Sequence, residues 1–290
     1  MNTIWSKYVQ GTKTLYYSRK LRFDDLFSEQ YRNLFGLDAK QQLKILEIGC
    51  GPGALAGALH RWYPLAEITA VDRDSEFVRF GTENESGVTF VEGNATALPF
   101  EDNTFDVTIS NTVAEHIEPS KFYGEQLRVL KPGGICLVLS SRKGININPS
   151  CITFNEYEQQ FWKKAEQHDD SMDRFAVCKY PMNEAEMPVV MSEYGFSNVS
   201  TGFATIDLTP DNPKFSAPLA LDMINANRYT ALDGIDSVLH TMPEHFTTGE
   251  VEEMKRLANA KYDTRIEQYQ RGEKQWDTNV SIIMVIRGTK

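Results

Sequence analysis

The chain has 290 residues, 41% of them hydrophobic and 24% charged, with a formal charge of −10. That balance is ordinary for a globular enzyme and excludes disordered, collagen-like and disulfide-scaffold classes. It also argues against nucleic acid as a partner, because a phosphate backbone needs clustered Lys and Arg; the basic stretches 13–22 and 128–131 are short and read as solvated helix faces.

Cys50, Cys136, Cys151 and Cys178 show neither CxxC pairing nor His at ligand spacing, which predicts buried free thiols and no metal site. The N-terminus is too polar for a secretory segment and no apolar run spans a bilayer, so no membrane association and a cytoplasmic location are expected.

In chain order, the first region is helical and aromatic. Tyr8, Leu15, Tyr16, Leu26, Phe27, Tyr31, Leu34 and Phe35 recur roughly every three or four positions before Gly36, predicting a helical leader or lid over residues 1–41. From residue 43 short apolar runs at 44–48, 67–71, 89–92, 106–110 and 135–140 alternate with helix-length segments. This is the pattern of a parallel α/β sheet built from βαβ units. A helix over 184–194, stopped by Gly195, and strands over 199–208 and 279–286 bring the sheet to seven candidates.

Residues 149–181 and 210–277 do not fit the alternation and read as helical insertions in a core of 42–209 and 278–290. Phe154, Tyr157, Phe161 and Ala165 share one helical face in the first. Val251, Met254, Ala258, Tyr262, Ile266 and Tyr269 do so in the second, which Thr247 and Glu250 open with a capping box. The insertion 210–277 is expected to form a cap or an oligomer interface, and either a monomer or a homodimer suits the sequence.

The chemistry concentrates at residues 46–56, Leu-Glu-Ile-Gly-Cys-Gly-Pro-Gly-Ala-Leu-Ala, a strand turning through glycines into a helix. Without Cβ atoms at Gly49, Gly51 and Gly53, a ligand is expected to lie against backbone N–H groups. The same turn satisfies a GxGxxA dinucleotide pattern with Asp72 at a ribose-binding distance, so a nicotinamide enzyme is a rival reading.

Glu47 favours a cationic ligand, since a carboxylate orients an amino group but repels a pyrophosphate. Asp72 can accept both ribose hydroxyls, Arg73 can flank an adenine, and Asn94 with Ala95 offers an amide and a backbone N–H to the adenine edge. Further on come Ala97-Leu98-Pro99-Phe100, Phe105-Asp106, Glu115-His116 and a predicted tight turn at Leu130-Lys131-Pro132-Gly133-Gly134.

In this order, the segments of residues 44–141 resemble the class I S-adenosylmethionine-dependent methyltransferases, in the small-molecule, ubiquinone/menaquinone-methyltransferase-like branch. The resemblance implies a Rossmann-like, doubly wound seven-stranded sheet with an antiparallel last strand. Carried over by position, Glu47, Gly49, Cys50 and Gly51 would hold the methionine portion and Asp72 the ribose. Arg73, Asn94 and Ala95 would contact adenine, and the backbone around Asn111 the amino group. The family usually has Asp where this chain has Asn94; an amide oxygen can still accept from the adenine amino group.

S-adenosyl-L-methionine would then be the cofactor and S-adenosyl-L-homocysteine the product. From their position, Tyr16, Tyr17, Arg19 and Arg22 would reach the methionine carboxylate, and His116 is the best-placed general base. No segment marks a base or pyrimidine acceptor, which with the acidic charge favours a small molecule. The alternatives are a methyltransferase acting on RNA or protein, a cofactor-binding protein without catalysis, and an NAD-dependent oxidoreductase.

Overall fold

A computed structural model describes residues 5–170, 174–175 and 177–290; the expectations for residues 1–4 and for the side chain of Tyr8 lie outside the described residues. Strands β1 (Lys44–Ile48), β2 (Glu67–Asp72), β3 (Val88–Glu92), β4 (Phe105–Asn111), β5 (Leu130–Ile147), β6 (Ser197–Asp207) and β7 (Thr278–Thr289) form one sheet of order β3-β2-β1-β4-β5-β7-β6. The first five pair in parallel, whereas β7 runs antiparallel between β5 and β6. The Rossmann-like sheet with its antiparallel last strand is therefore present. The order reverses beside β1 and β4, the switch point at which open α/β sheets leave a crevice beyond their strand ends.

Helices α3 (Ala54–Trp62), α4 (Ser75–Asn84) and α5 (Pro119–Val129) return the chain between the parallel strands. The tight turn expected at residues 130–134 is instead part of β5. Gly133 donates to the carbonyl of Lys290, and Lys290 donates back to Gly134, so the chain's last residue extends the ladder.

Ahead of the sheet lie α1 (Thr12–Arg22) and α2 (Ser28–Phe35), preceded by a short π-helical turn at Trp5–Val9. Phe23, Phe27, Tyr31 and Phe35 belong to the same buried cluster as Ile45, Val107 and Leu137. Residues 23–35 are therefore packed into the main core rather than laid over it.

The two irregular stretches meet each other. From α6 (Glu156–His168), Phe161 and Ala165 pack with Ile235 and Val238 of α8 (Ala217–Thr241) and with Val251, Met254 and Ala258 of α9 (Thr248–Gln270). Phe154 and Tyr157, expected on that face, are exposed, because Phe154 precedes the Asn155 cap and Tyr157 points outward. The capping box at Thr247 and Glu250 is formed, and a second joins Asn155 to Glu158. The short α7 (Glu186–Glu193) ends before Gly195, whose φ of +98° suits a glycine stop.

Arg265 stands fully buried in the apolar stripe of α9, where the sequence pattern shows no reason for a charge. It donates to Asp211 and Asp277 at 2.9 and 2.6 Å, and so ties the two ends of the 210–277 segment together.

Candidate active site

At the C-terminal ends of β1, β2 and β4 lies a cavity of about 560 Å³. Glu47, Gly49, Cys50, Gly51, Asp72, Arg73, Asn94, Ala95, Asn111 and His116 all line it. Parallel strands bring their C-terminal ends to one edge, so short segments separated by up to 69 positions converge.

The glycine turn is shaped for close approach. Gly49 has φ +66°, and a Cβ there would meet Val113 at 2.5 Å; Gly51 has φ +53°. The N–H groups of the turn, however, are already used. Gly49 and Cys50 both donate to the Val71 carbonyl, at 2.8 and 3.1 Å, and Gly53 donates to the Cys50 carbonyl at 3.1 Å. Gly51 donates to the Asp72 carboxylate at 2.8 Å, and Asp74 donates to its other oxygen at 2.9 Å. Asp72 therefore braces the turn as well as facing the cavity. A phosphate needs unspent backbone donors, and Gly49, Cys50, Gly51 and Gly53 do not supply them.

Glu47 is 2% exposed, and one of its carboxylate oxygens has no hydrogen-bond partner. Burial and the nearby Asp72 hold its carboxyl well above the usual range, with a backbone contact from Ala56 opposing. Burial likewise raises Asp72, although its two backbone donors counteract this. Two crowded acids at one end of a cavity favour a cationic occupant, which would lower both values again.

The segment expected to meet adenine differs from the expectation in polarity. The side-chain oxygen of Asn94 accepts from the Thr96 N–H and hydroxyl, both at 3.0 Å, leaving the amide NH₂ to face a ligand. After β4, Thr112 adopts φ +55°, a costly conformation for a β-branched residue, and its hydroxyl donates to the Asn111 carbonyl at 2.7 Å. Nothing in the sequence signals this strain.

At the opposite end stands His116. The Cys178 N–H donates to His116 Nδ1 at 2.9 Å, and Trp5 packs edge-on at 4.8 Å between ring centroids. Burial pulls the imidazole below its usual range; Glu115 opposes this, and Arg73 adds to the fall. A neutral ring whose Nδ1 accepts carries its proton on Nε2, so this histidine is arranged to donate.

Helix α1 sends Leu15 and Arg19 to the cavity wall, and its C-cap Phe23 follows four residues on. Tyr17 and Arg22 are not brought there: Tyr17 is 45% exposed against Tyr229, and Arg22 lies under the helix near Tyr31. Tyr16 also turns away, donating to Glu85 at 2.6 Å. Burial, reinforced by Arg22, lowers Arg19 to about 9, still cationic at neutral pH. Its guanidinium meets no carboxylate among the described residues. Trp5, Gln10, Phe175, Lys179 and Tyr180 complete the wall; they arrive through long-range folding and carry no local sequence signal.

With this geometry in view, residues 46–138 match the family model described as a methyltransferase domain. The chain is similar to a fatty-acid O-methyltransferase of Mycolicibacterium smegmatis, 37% identical over 36% of this chain and 39% of the relative. It is also similar to a ubiquinone/menaquinone biosynthesis C-methyltransferase of Pasteurella multocida, 31% identical over 54% and 63%. The chain thus spans less than two thirds of the length of these relatives.

Among solved structures, Haemonchus contortus phosphoethanolamine N-methyltransferase 2 in complex with S-adenosyl-L-methionine superposes with a TM-score of 0.52. The two are 17% identical, over 99% of this chain and 59% of that one. The cyclase SpnF gives 0.50 at 16% identity, over 92% and 80%. Both share the fold of the methyltransferase domain. Among the described residues no helix is long and apolar enough to cross a membrane.

Proposed function

We propose that this chain transfers a methyl group from S-adenosylmethionine to a small-molecule acceptor. One observation carries the reading: Glu47, buried with an unpartnered oxygen beside Asp72, underlies a turn whose backbone donors are already spent. Such a seat suits a cation and not a pyrophosphate, which favours a sulfonium nucleotide over NAD.

In this reading Glu47 and the Asn111 backbone take the amino group, and Gly49, Cys50 and Gly51 let the methionine portion lie close. Arg19, in place of Tyr17 and Arg22, meets the carboxylate. Asp72 uses its remaining lone pairs for the ribose hydroxyls. Arg73 and Ala95 flank the adenine, and Asn94 donates its NH₂ to a ring nitrogen rather than accepting from the exocyclic amine.

When bound, the sulfonium supplies an already activated methyl group. The chain's part is then to align the acceptor for in-line displacement and to exclude water. Residues 5–22 are the part of the N-terminal region that covers the cavity, held by Ser6 N–H on Asp74 at 2.9 Å and Gly11 N–H on Asp233 at 2.7 Å. The helical body of α6, α8 and α9 lends no described residue to the cavity wall and would act as a cap through residues 5–22, which it holds by Asp233 on Gly11 and Tyr229 against Tyr17. His116, as a donor on Nε2, positions the acceptor rather than deprotonating it. The acidic charge supports a small-molecule acceptor over RNA.

A thermal-shift series tests the cofactor: S-adenosylmethionine and S-adenosylhomocysteine are expected to raise the melting temperature and NAD to leave it unchanged. A shift with NAD alone would overturn the reading. With methyl-labelled cofactor and cell extract, label is expected in the small-molecule filtrate; label confined to precipitated RNA or protein would overturn the acceptor class.

A further inference from the structure

The two ends of the cavity differ in charge. Its inner end holds the carboxylates of Glu47 and Asp72, while its outer end, around His116, gathers Lys121, Lys179 and Glu118. The Glu118 carboxylate is committed to Lys121 at 2.9 Å and to the Ser120 hydroxyl at 2.8 Å. Lys179 stacks at 5.8 Å over Tyr180, makes no salt bridge within 4 Å among the described residues, and shares the field of Glu118 with Lys121. Arg73 lies close enough to depress His116. In a chain of charge −10, Lys121 and Lys179 stand at this mouth against one carboxylate, Glu118.

Proton bookkeeping points the same way. His116 has its Nδ1 lone pair filled by Cys178, and Glu118 is held below its usual range by Lys121 and Ser120. Neither is ready to take a proton from an incoming nucleophile. An acceptor that is already an anion at neutral pH needs no base.

Resting on the methyltransferase reading, we propose that the acceptor is an organic acid whose carboxylate is recognised by Lys121 and Lys179, and that the product is its methyl ester. A carboxylate oxygen forms the new O–C bond to the methyl carbon as the C–S bond breaks; sulfur keeps the electron pair and no proton moves. The neighbouring Trp5, Ile117, Phe175 and Tyr180 offer an apolar surface for the acid's body.

The test is calorimetry on protein saturated with S-adenosylhomocysteine, titrated with octanoate, benzoate, their primary amides, octylamine and octyl phosphate. At least one acid is expected to bind at least tenfold more tightly than its amide, and octylamine not at all. In the double variant Lys121→Gln, Lys179→Gln that preference is expected to disappear while S-adenosylhomocysteine affinity stays within threefold.

Amides binding as well as acids, tighter binding of octylamine or octyl phosphate, no acid binding at millimolar concentration, or a double variant that keeps the preference would each overturn the proposal. Failure of S-adenosylhomocysteine itself to bind would instead overturn the methyltransferase reading beneath it.

Discussion

The inner wall of the cavity is made by strand ends and tight turns, the outer wall by helices and by segments that arrive from afar. On the inner side a few residues do several jobs: Asp72 braces Gly51 and Asp74 while facing the ligand space. On the outer side each contact stands on a different element, as when Cys178 reaches His116 across 62 positions. The inner wall is therefore local, whereas the outer wall leans on distant elements, among them the helical body that holds residues 5–22 through Asp233.

That anchoring gives the largest expected effect. Arg265→Met leaves Asp211 and Asp277 buried without their cation and is expected to cost about 3–5 kcal/mol in urea unfolding. If the two walls are independent, S-adenosylhomocysteine affinity measured well below the melting temperature stays within threefold. A collapse of affinity in a folded protein would break the distinction.

Next, Gly49→Ala places a Cβ at φ +66° and against Val113, costing roughly 1–2 kcal/mol for the left-handed residue and about 1–3 kcal/mol for the overlap. Calorimetry is expected to show cofactor affinity lost along with stability, because here both live in one turn. Asp72→Ala removes two charge-assisted bonds and the ribose contact and is expected to weaken S-adenosylhomocysteine by about tenfold to a hundredfold, about 1.5–3 kcal/mol.

These positions were also the legible ones. Gly49, Asp72 and Asn94 sit at strand ends whose location follows from short apolar runs, so pattern and chemistry coincide in a few residues of sequence. The polarity at Asn94 was not legible, because whether its oxygen faces a ligand or Thr96 is decided by a turn only the folded chain reveals. Nor was the choice of Arg19 over Tyr17 and Arg22: periodicity places α1 but not its rotation about its own axis. Likewise the Lys290 pairing that makes residues 130–134 a strand joins positions far apart in the chain.

A smaller effect sets binding against stability. Glu47 is raised in the folded protein, so its contribution to apo stability is present at low pH and is lost as pH rises through that raised value. Cofactor affinity is expected to run the other way, increasing with pH as the carboxylate ionises. Glu47→Gln is expected to raise the apo melting temperature by about 2–4 °C, flatten its pH dependence and weaken S-adenosylhomocysteine. The smallest effect is expected at Tyr17→Ala, with stability and cofactor affinity within about 0.5 kcal/mol of the parent in the same assays.

Calorimetric titration of the unmodified chain and of Glu47→Gln with S-adenosylmethionine, S-adenosylhomocysteine and NAD addresses the central claim, that the inner wall is a seat for a cationic nucleotide. Both adenosyl ligands are expected to bind in a single class of site in the parent chain and more weakly in the variant, with no heat from NAD. NAD binding as tightly as S-adenosylmethionine, or a variant that binds both adenosyl ligands unchanged, would contradict it.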